Sequence, residues 1–279
     1  MKIGFVADST VDLPDNILEK EKIRIIPLYI NIGDHGFLDR VEMSRENFYD
    51  NLSGFSHHPT TAAPGINAFI NAYQEQIEKG YSAILSFHIS KTLSDTVDIA
   101  RLAAKKIDKV PVYVIDSRNI SMGTGLLLQL AVKMADAGEK VEKILQAVQD
   151  AIKRTHTVAI LDTIEYLHRS GRITDIRFGL ANLLFIKPVI QINDGRINFE
   201  RTRTKKSALN RMIRIVEGLF PFQDFAFVHS NAPEKTEQLR KMVLQWIPVD
   251  QEILTGEVTP VIGSHIGPGV YGFSAISSK

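Results

Sequence analysis

"SAILSFHISKTLSDTVDIARLAAKKI", residues 82–107, decides the fold. Its first eight residues are an apolar and β-branched run that stops at a cluster of hydroxyls, the pattern of a short buried strand. From Leu93 onward the apolar residues return at helical spacing, through Val97, Ala100 and Ala104 to Ile107. The same alternation extends in both directions. "KIGFVAD" (2–8), "IRIIPLYIN" (23–31) and "VPVYVID" (110–116) are expected as strands, and "GINAFINAYQEQIEKG" (65–80) and "MGTGLLLQLAVKMADAG" (122–138) as helices. Strands alternating with helices give a parallel sheet covered on both faces, a Rossmann-like α/β layer.

The texture changes near Thr155. "VAILD" (158–162), "DFAFVHS" (224–230) and "EILTGEV" (252–258) are expected strands, and Asn193-Asp194-Gly195 inside "KPVIQINDGRINFERTR" (187–203) is a hairpin signal. Two amphipathic helices, "KKSALNRMIRIVEGLF" (205–220) and "EKTEQLRKMVLQWI" (234–247), lie among them. The expectation is a two-lobed α/β protein: residues 1–155 form the lobe with the parallel sheet and flanking helices, residues 156–279 a mixed α+β lobe, with a ligand cleft between.

The chain has 279 residues, 44% of them hydrophobic, and 33 Lys and Arg against 32 Asp and Glu. Charges this evenly matched give no overall field to hold nucleic acid or an anionic membrane, so membrane contact is expected to be transient at most. There is no cysteine, hence no disulfide framework and no thiol nucleophile. The opening "MKIGFVADST" places Asp8 where a signal peptide needs apolar residues, and no stretch approaches a membrane span, so the cytoplasm is the expected location. Nothing in the sequence demands more than a monomer.

In open α/β sheets ligands collect beyond the carboxyl ends of the strands. The loops there are rich in hydroxyls: Asp8 to Thr10, Ser90 to Thr96, and Asp116 to Ser121. Each residue, taken alone, is equally a helix cap. "SMGTG" lacks the third glycine of a dinucleotide loop, Leu128 standing in its place, and no "GxxxxGK[ST]" is present. A serine hydrolase built from Ser90 or Ser94 with His265 and either Asp8 or Asp116 is an alternative, although no "GxSxG" elbow supports it. His35, His57, His58 and His88 have no metal-ligand spacing, so no metal is expected.

Taken in order, "ADSTVDLP", "TTAAPG", "ISKTLSDT", "VIDSRNISMGTG", "LDTIEYLHRSGRIT", "ANLLFIKPVIQINDG", "RTRTKK" and "GSHIGPG" resemble the DegV family over essentially the whole chain. The resemblance implies a two-lobed, non-catalytic bacterial protein that holds one long-chain fatty acid in a tunnel between its lobes. In Gram-positive bacteria such proteins present the acid to a separate fatty acid kinase, which makes the acyl phosphate. No cofactor beyond the bound acid is implied. Carried across, the pattern puts Thr61, Ser90 and Ser94 at the carboxylate, with His265 and Arg172 in a hydrogen-bonded network behind them. Gly267 lets the glycine-rich terminal loop approach the ligand.

Two departures stand out. Thr61-Ala62-Ala63-Pro64-Gly65 replaces the family's Thr-Ser-Gln-Pro-Ser, and Lys91 replaces the second serine of Ser-Ser-x-Leu-Ser-Gly-Thr. Lys91 either turns to the carboxylate as a charged donor or points to water. The basic run Arg201, Arg203, Lys205 and Lys206 suits an acidic docking surface on the kinase, or is a solvated strand end.

Overall fold

A computed structural model of the protein describes residues 2–171, 187–247 and 253–279. The chain opens with β1 (Ile3–Asp8), all six residues buried. An unbroken apolar run is what a strand covered on both faces requires. The helix α1 (Asp15–Lys20) leads to β2 (Arg24–Ile26), which pairs in parallel with β1. The chain then leaves this sheet: β3 (Tyr29–Ile32), β4 (His35–Leu38) and β5 (Thr60–Ala62) form a small antiparallel sheet in the order β4-β3-β5, with α2 (Arg45–Asn51) preceding β5. The single strand expected over 23–31 is therefore two strands in two sheets. Pro27 lies between them, where it has no N–H to offer a ladder.

The helix α3 (Ile66–Glu78) leads to β6 (Ala83–His88), α4 (Thr96–Ala104) and β7 (Val112–Asp116), which complete a parallel sheet in the order β2-β1-β6-β7. Two helices follow, α5 (Met122–Asp136) and α6 (Val141–Arg154). The first seven residues of α5 are all buried, as expected of a helix enclosed on every side. One core joins Phe5, Leu85 and Phe87 of the parallel sheet, Leu126 to Leu128 of α5, and Ala226, Val228 and Ile276 of the second half of the chain.

That second half contains β8 (Thr155–Ile160), α7 (Glu165–Ser170), β9 (Val189–Asn193), β10 (Arg196–Glu200), α8 (Lys205–Leu219), β11 (Phe222–His229), α9 (Pro233–Val243), β12 (Leu254–Glu257), α10 (Pro260–Ile266) and β13 (Tyr271–Ser277). Its sheet runs β10-β9-β8-β13-β11-β12, antiparallel except for the β11 and β12 pair. The hairpin at Asp194-Gly195 forms as expected, with φ of 48° and 74° at its two loop residues, the backbone a tight two-residue turn needs. The far face of this sheet packs Phe225, Phe227 and Phe273 against Met212 of α8 and Leu239 of α9. On the other side of the molecule, Phe69 and Tyr73 of α3 and Ala100 of α4 cover Val6 and Ile84. The result is a mixed α/β architecture in which α5 and α6 separate a parallel sheet from a mixed one.

Candidate functional site

The residues that follow β2, β6 and β7 open onto an apolar cavity. The empty space between its walls, counted out to the open mouth and with the open solvent there included, is about 1020 Å³. Ile89, Leu93 and Ile120 line it from the parallel-sheet side, Ile190, Ile192 and Ile197 from the β9 and β10 hairpin, and Val261, Ile262 and Ile266 from α10. The side chains at 190, 192 and 197 share one face because the two strands pair in register, Ile192 opposite Ile197. Five polar side chains interrupt this wall: Thr61, Ser94, Ser121, Thr157 and His265.

Thr61 and His265 meet directly, Oγ1 to Nε2 at 2.8 Å. They are brought together from opposite ends of the chain. Thr61 is held by β5, which pairs with β3 opposite Ile30. His265 does not ride on a bare glycine loop, as the sequence suggested, but on the last turn of α10, which starts with Pro260. The glycines serve packing instead. A Cβ on Gly263 would stand 2.6 Å from the Tyr49 hydroxyl, so glycine lets α2 approach α10. Gly267 has φ of 73°, and a Cβ there would fall 2.3 Å from the Tyr166 ring. Gly267 ends α10 beneath that ring rather than lining the cavity.

The hydroxyl loop before α4 divides its residues. Ser94 lines the cavity while its Oγ lies 2.8 Å from Thr96 Oγ1 and accepts from Thr96 N at 3.3 Å. Ser90 is buried and turned to Thr92, at 2.9 Å between hydroxyl oxygens, and is not part of the wall. Lys91 takes the second of its two expected courses: its ammonium pairs with Asp98 at 2.6 Å, more than half exposed. Lys91 and Arg101 together hold the Asp98 carboxyl below its usual range. Arg172 lies outside the described residues. Arg201, Arg203, Lys205 and Lys206 are all exposed around the start of α8, where Thr204 caps the helix by accepting from Ser207 N at 3.1 Å.

The hydrolase arrangement needs an acid behind His265 and a serine before it. Asp8 is instead bound to His88, Oδ2 to Nδ1 at 3.1 Å, and Asp116 Oδ1 accepts from the backbone N–H groups of Arg118 at 2.9 Å and Lys91 at 3.2 Å. The hydroxyl in front of His265 Nε2 belongs to Thr61. Among the described residues no cluster of three or more His, Cys, Asp and Glu side chains is placed to hold a metal ion.

Two polar groups of the wall escaped the sequence reading as individual site residues. Ser121, in the flagged hydroxyl loop, precedes α5 with φ of 57° and gives its hydroxyl proton to Asp12. Thr157 sits on β8 and donates to Asn119 Oδ1 at 2.7 Å, with Ser274 Oγ also 2.7 Å away. Nothing in the sequence of β8 distinguishes Thr157 from any strand threonine.

A parallel sheet whose strand ends open on a mostly apolar cavity, closed from the other side by a mixed sheet, defines a class of α/β proteins that enclose an apolar molecule next to a few polar groups. The chain belongs to the DegV family: the profile described as "Uncharacterised protein, DegV family" matches residues 2–278. It is 32% identical over 277 residues to a DegV domain-containing protein of Listeria innocua, covering 98% of each chain. A DegV family protein of Thermus thermophilus, described by its fatty acid binding, superposes with a TM-score of 0.91 at 32% identity, covering 99% of this chain and 100% of that one. DegV of Bacillus subtilis, described as a fatty acid binding protein, gives 0.87 at 26% identity over 99% and 100% of the two chains.

Proposed function

We propose that this protein is a cytoplasmic, non-catalytic carrier that binds one long-chain fatty acid in its apolar cavity and presents the carboxyl group to a separate kinase. The observation that carries this reading is the Thr61 and His265 pair, set at 2.8 Å in a wall that is otherwise almost wholly apolar. Each buried methylene contributes about 0.8 kcal/mol, so a long acyl chain gains on the order of 10 kcal/mol gross without any catalytic group. The head group is the opposing term, because a buried carboxylate is costly unless donors reach it. Thr61, Ser94 and His265 supply hydroxyl and imidazole donors, and a cavity wall drawn from both halves of the chain supports a ligand held between lobes 1–155 and 156–279. The solved structures of the Thermus and Bacillus relatives, both described as binding fatty acid, support the same ligand class.

Mass spectrometry of the purified protein, native and after organic extraction, tests the reading. A fatty acid at one equivalent is expected, and His265→Ala is expected to retain less of it. A protein that is empty and takes up neither palmitate nor oleate would overturn the assignment. Presentation to a kinase has its own test: charge reversal at Arg203 and Lys205 is expected to slow kinase-dependent phosphorylation and leave acid affinity intact. Equal phosphorylation would remove the docking surface.

A further inference from the structure

The segment that carries His265 is held at both of its ends by two neighbouring residues, His229 and Ser230, and neither belongs to the cavity wall. In the mixed sheet β11 lies between β13 and β12, antiparallel to the first and parallel to the second. The chain leaving β12 therefore has to cross the carboxyl end of β11 to enter β13, and α10 is that crossing. At its entrance Val258 N donates to the carbonyl of His229 at 2.7 Å, and Thr259 N donates to Asp12 Oδ1 at 2.9 Å. At its exit stands Ser230, the residue that follows β11.

Ser230 is fully buried, and all of its polar groups are directed at the segment Gly267 to Val270. Its hydroxyl donates to Gly267 O at 2.7 Å and accepts from Val270 N at 3.0 Å. Its backbone N–H donates to Val270 O at 2.9 Å, and its carbonyl accepts from Gly269 N at 2.7 Å. The hydroxyl thus stands where an ordinary turn would close Gly267 O on Val270 N directly. Two features leave the turn dependent on this bridge. Gly267 and Gly269 have φ of 73° and 81°, and Pro268 brings no N–H, so the backbone there has little of its own to hold it. The helix α10 has only seven residues, too few to keep its place without outside contacts. His265 lies just before Gly267, so the place of its Nε2, 2.8 Å from Thr61 Oγ1, follows from where this end of the helix is fixed.

We propose that Ser230 is a positioning residue for the head group: its hydroxyl fixes the end of α10 and so sets where the His265 imidazole meets the ligand's carboxylate. The inference rests on the carrier reading and divides the work within it, the tail being held by the apolar wall and the head group by a serine that lies outside that wall. Alanine at position 230 removes donor and acceptor together, and leaves the Gly267 carbonyl and the Val270 N–H buried without that partner. The glycine turn then shifts to recover them, and the helix end that carries His265 shifts with it.

The test has two arms. In the first, radiolabelled palmitic acid and methyl palmitate are partitioned between phosphatidylcholine vesicles and the protein. Ser230→Ala is expected to weaken the hold on the acid about tenfold, as loss of a well-placed donor to a charged group does. The ester, held by its tail alone, is expected to change by less than about twofold. In a His265→Ala background the same substitution is expected to weaken the acid no further. Ser230→Cys keeps a weaker donor and acceptor at nearly the same volume; it is expected to show the same selective loss at smaller size, and it carries this arm if the alanine protein does not fold. Equal losses for acid and ester would make Ser230 a packing residue and overturn the proposal. The second arm uses ligand-free protein and follows the Nε2 resonance of His265 by nitrogen-15 NMR, assigned by its absence from His265→Ala. In the Ser230 variants it is expected to move toward its position in Thr61→Val, which lacks the partner hydroxyl. A resonance that stays in place would equally overturn the proposal. A wild type that takes up neither compound would overturn the carrier reading alone, since the second arm reads the end of α10 without any ligand.

Discussion

Asp8 ends β1 and Asp12 lies four positions further on in the loop after it, both buried, and they solve the same problem differently. Asp8 receives the backbone N–H of Thr10 and of Ile89, each at 3.0 Å, the Thr10 hydroxyl, and the His88 ring, which is itself tied through Ser86 to Tyr73. Every element of that chain is fixed to the parallel sheet or to α3. Asp12 receives two donors, and they come from different parts of the molecule, one from the entry to α5 and one from the entry to α10. A buried carboxylate with four donors inside one layer is a structural joint. One with two donors from separate elements joins the entries to α5 and α10.

The comparison breaks first at Asp8. Replacing it by alanine removes the partner of His88 Nδ1, of the Ile89 N–H and of the Thr10 N–H and hydroxyl, and is expected to cost about 3–5 kcal/mol in urea unfolding. A cost below about 1 kcal/mol would mean that the joint holds nothing.

Asp39 sharpens the contrast with a sign. A carboxyl raised by folding binds its proton more tightly folded than unfolded, so its contribution is fully present below the unfolded value of 3.8 and is lost as pH rises through about 6 for Asp12 and about 7 for Asp39. Wild-type stability is expected to decline over that window. Asp39→Asn is expected to be more stable than wild type by about 1–2 kcal/mol near pH 8 and no more stable near pH 5. Melting temperatures of the two proteins across this range check it.

Ser121 gives a smaller effect. Alanine and glycine both remove its bond to Asp12, but only glycine relaxes a φ of 57°. Ser121→Gly should therefore unfold at higher urea than Ser121→Ala, a difference of about 1 kcal/mol. Lys91→Ala is expected to change neither the unfolding midpoint nor fatty acid affinity, because its ammonium is held at the surface by Asp98. A loss of affinity in that variant would put the ammonium back at the carboxylate.

The parallel sheet was legible because β1 and β6 are continuous apolar runs followed by hydroxyl loops and helical spacing, and the Asp194-Gly195 hairpin because only a few residue pairs accept two positive φ angles. Local chemistry decides such features, so a local reading finds them. Thr61 was legible only through likeness to a family pattern and His265 also as a hydrolase candidate, and their contact was not: it joins residues 204 positions apart, through an edge strand of three residues and a helix of seven. Asp39 had no signal at all, since an aspartate in "FLDRVEM" looks like any turn residue until the fold removes its water.

The sequence by itself determined the strands and helices of the parallel sheet, which loops carry hydroxyls, and that one histidine stands near the end among glycines, because backbone preference and apolar spacing act over a few residues. Tertiary structure alone decided which hydroxyl that histidine meets, that Lys91 faces water, and that Asp12 and Asp39 are fully buried. Burial and charge are sums over everything that packs around a group, and those neighbours come from the whole length of the chain.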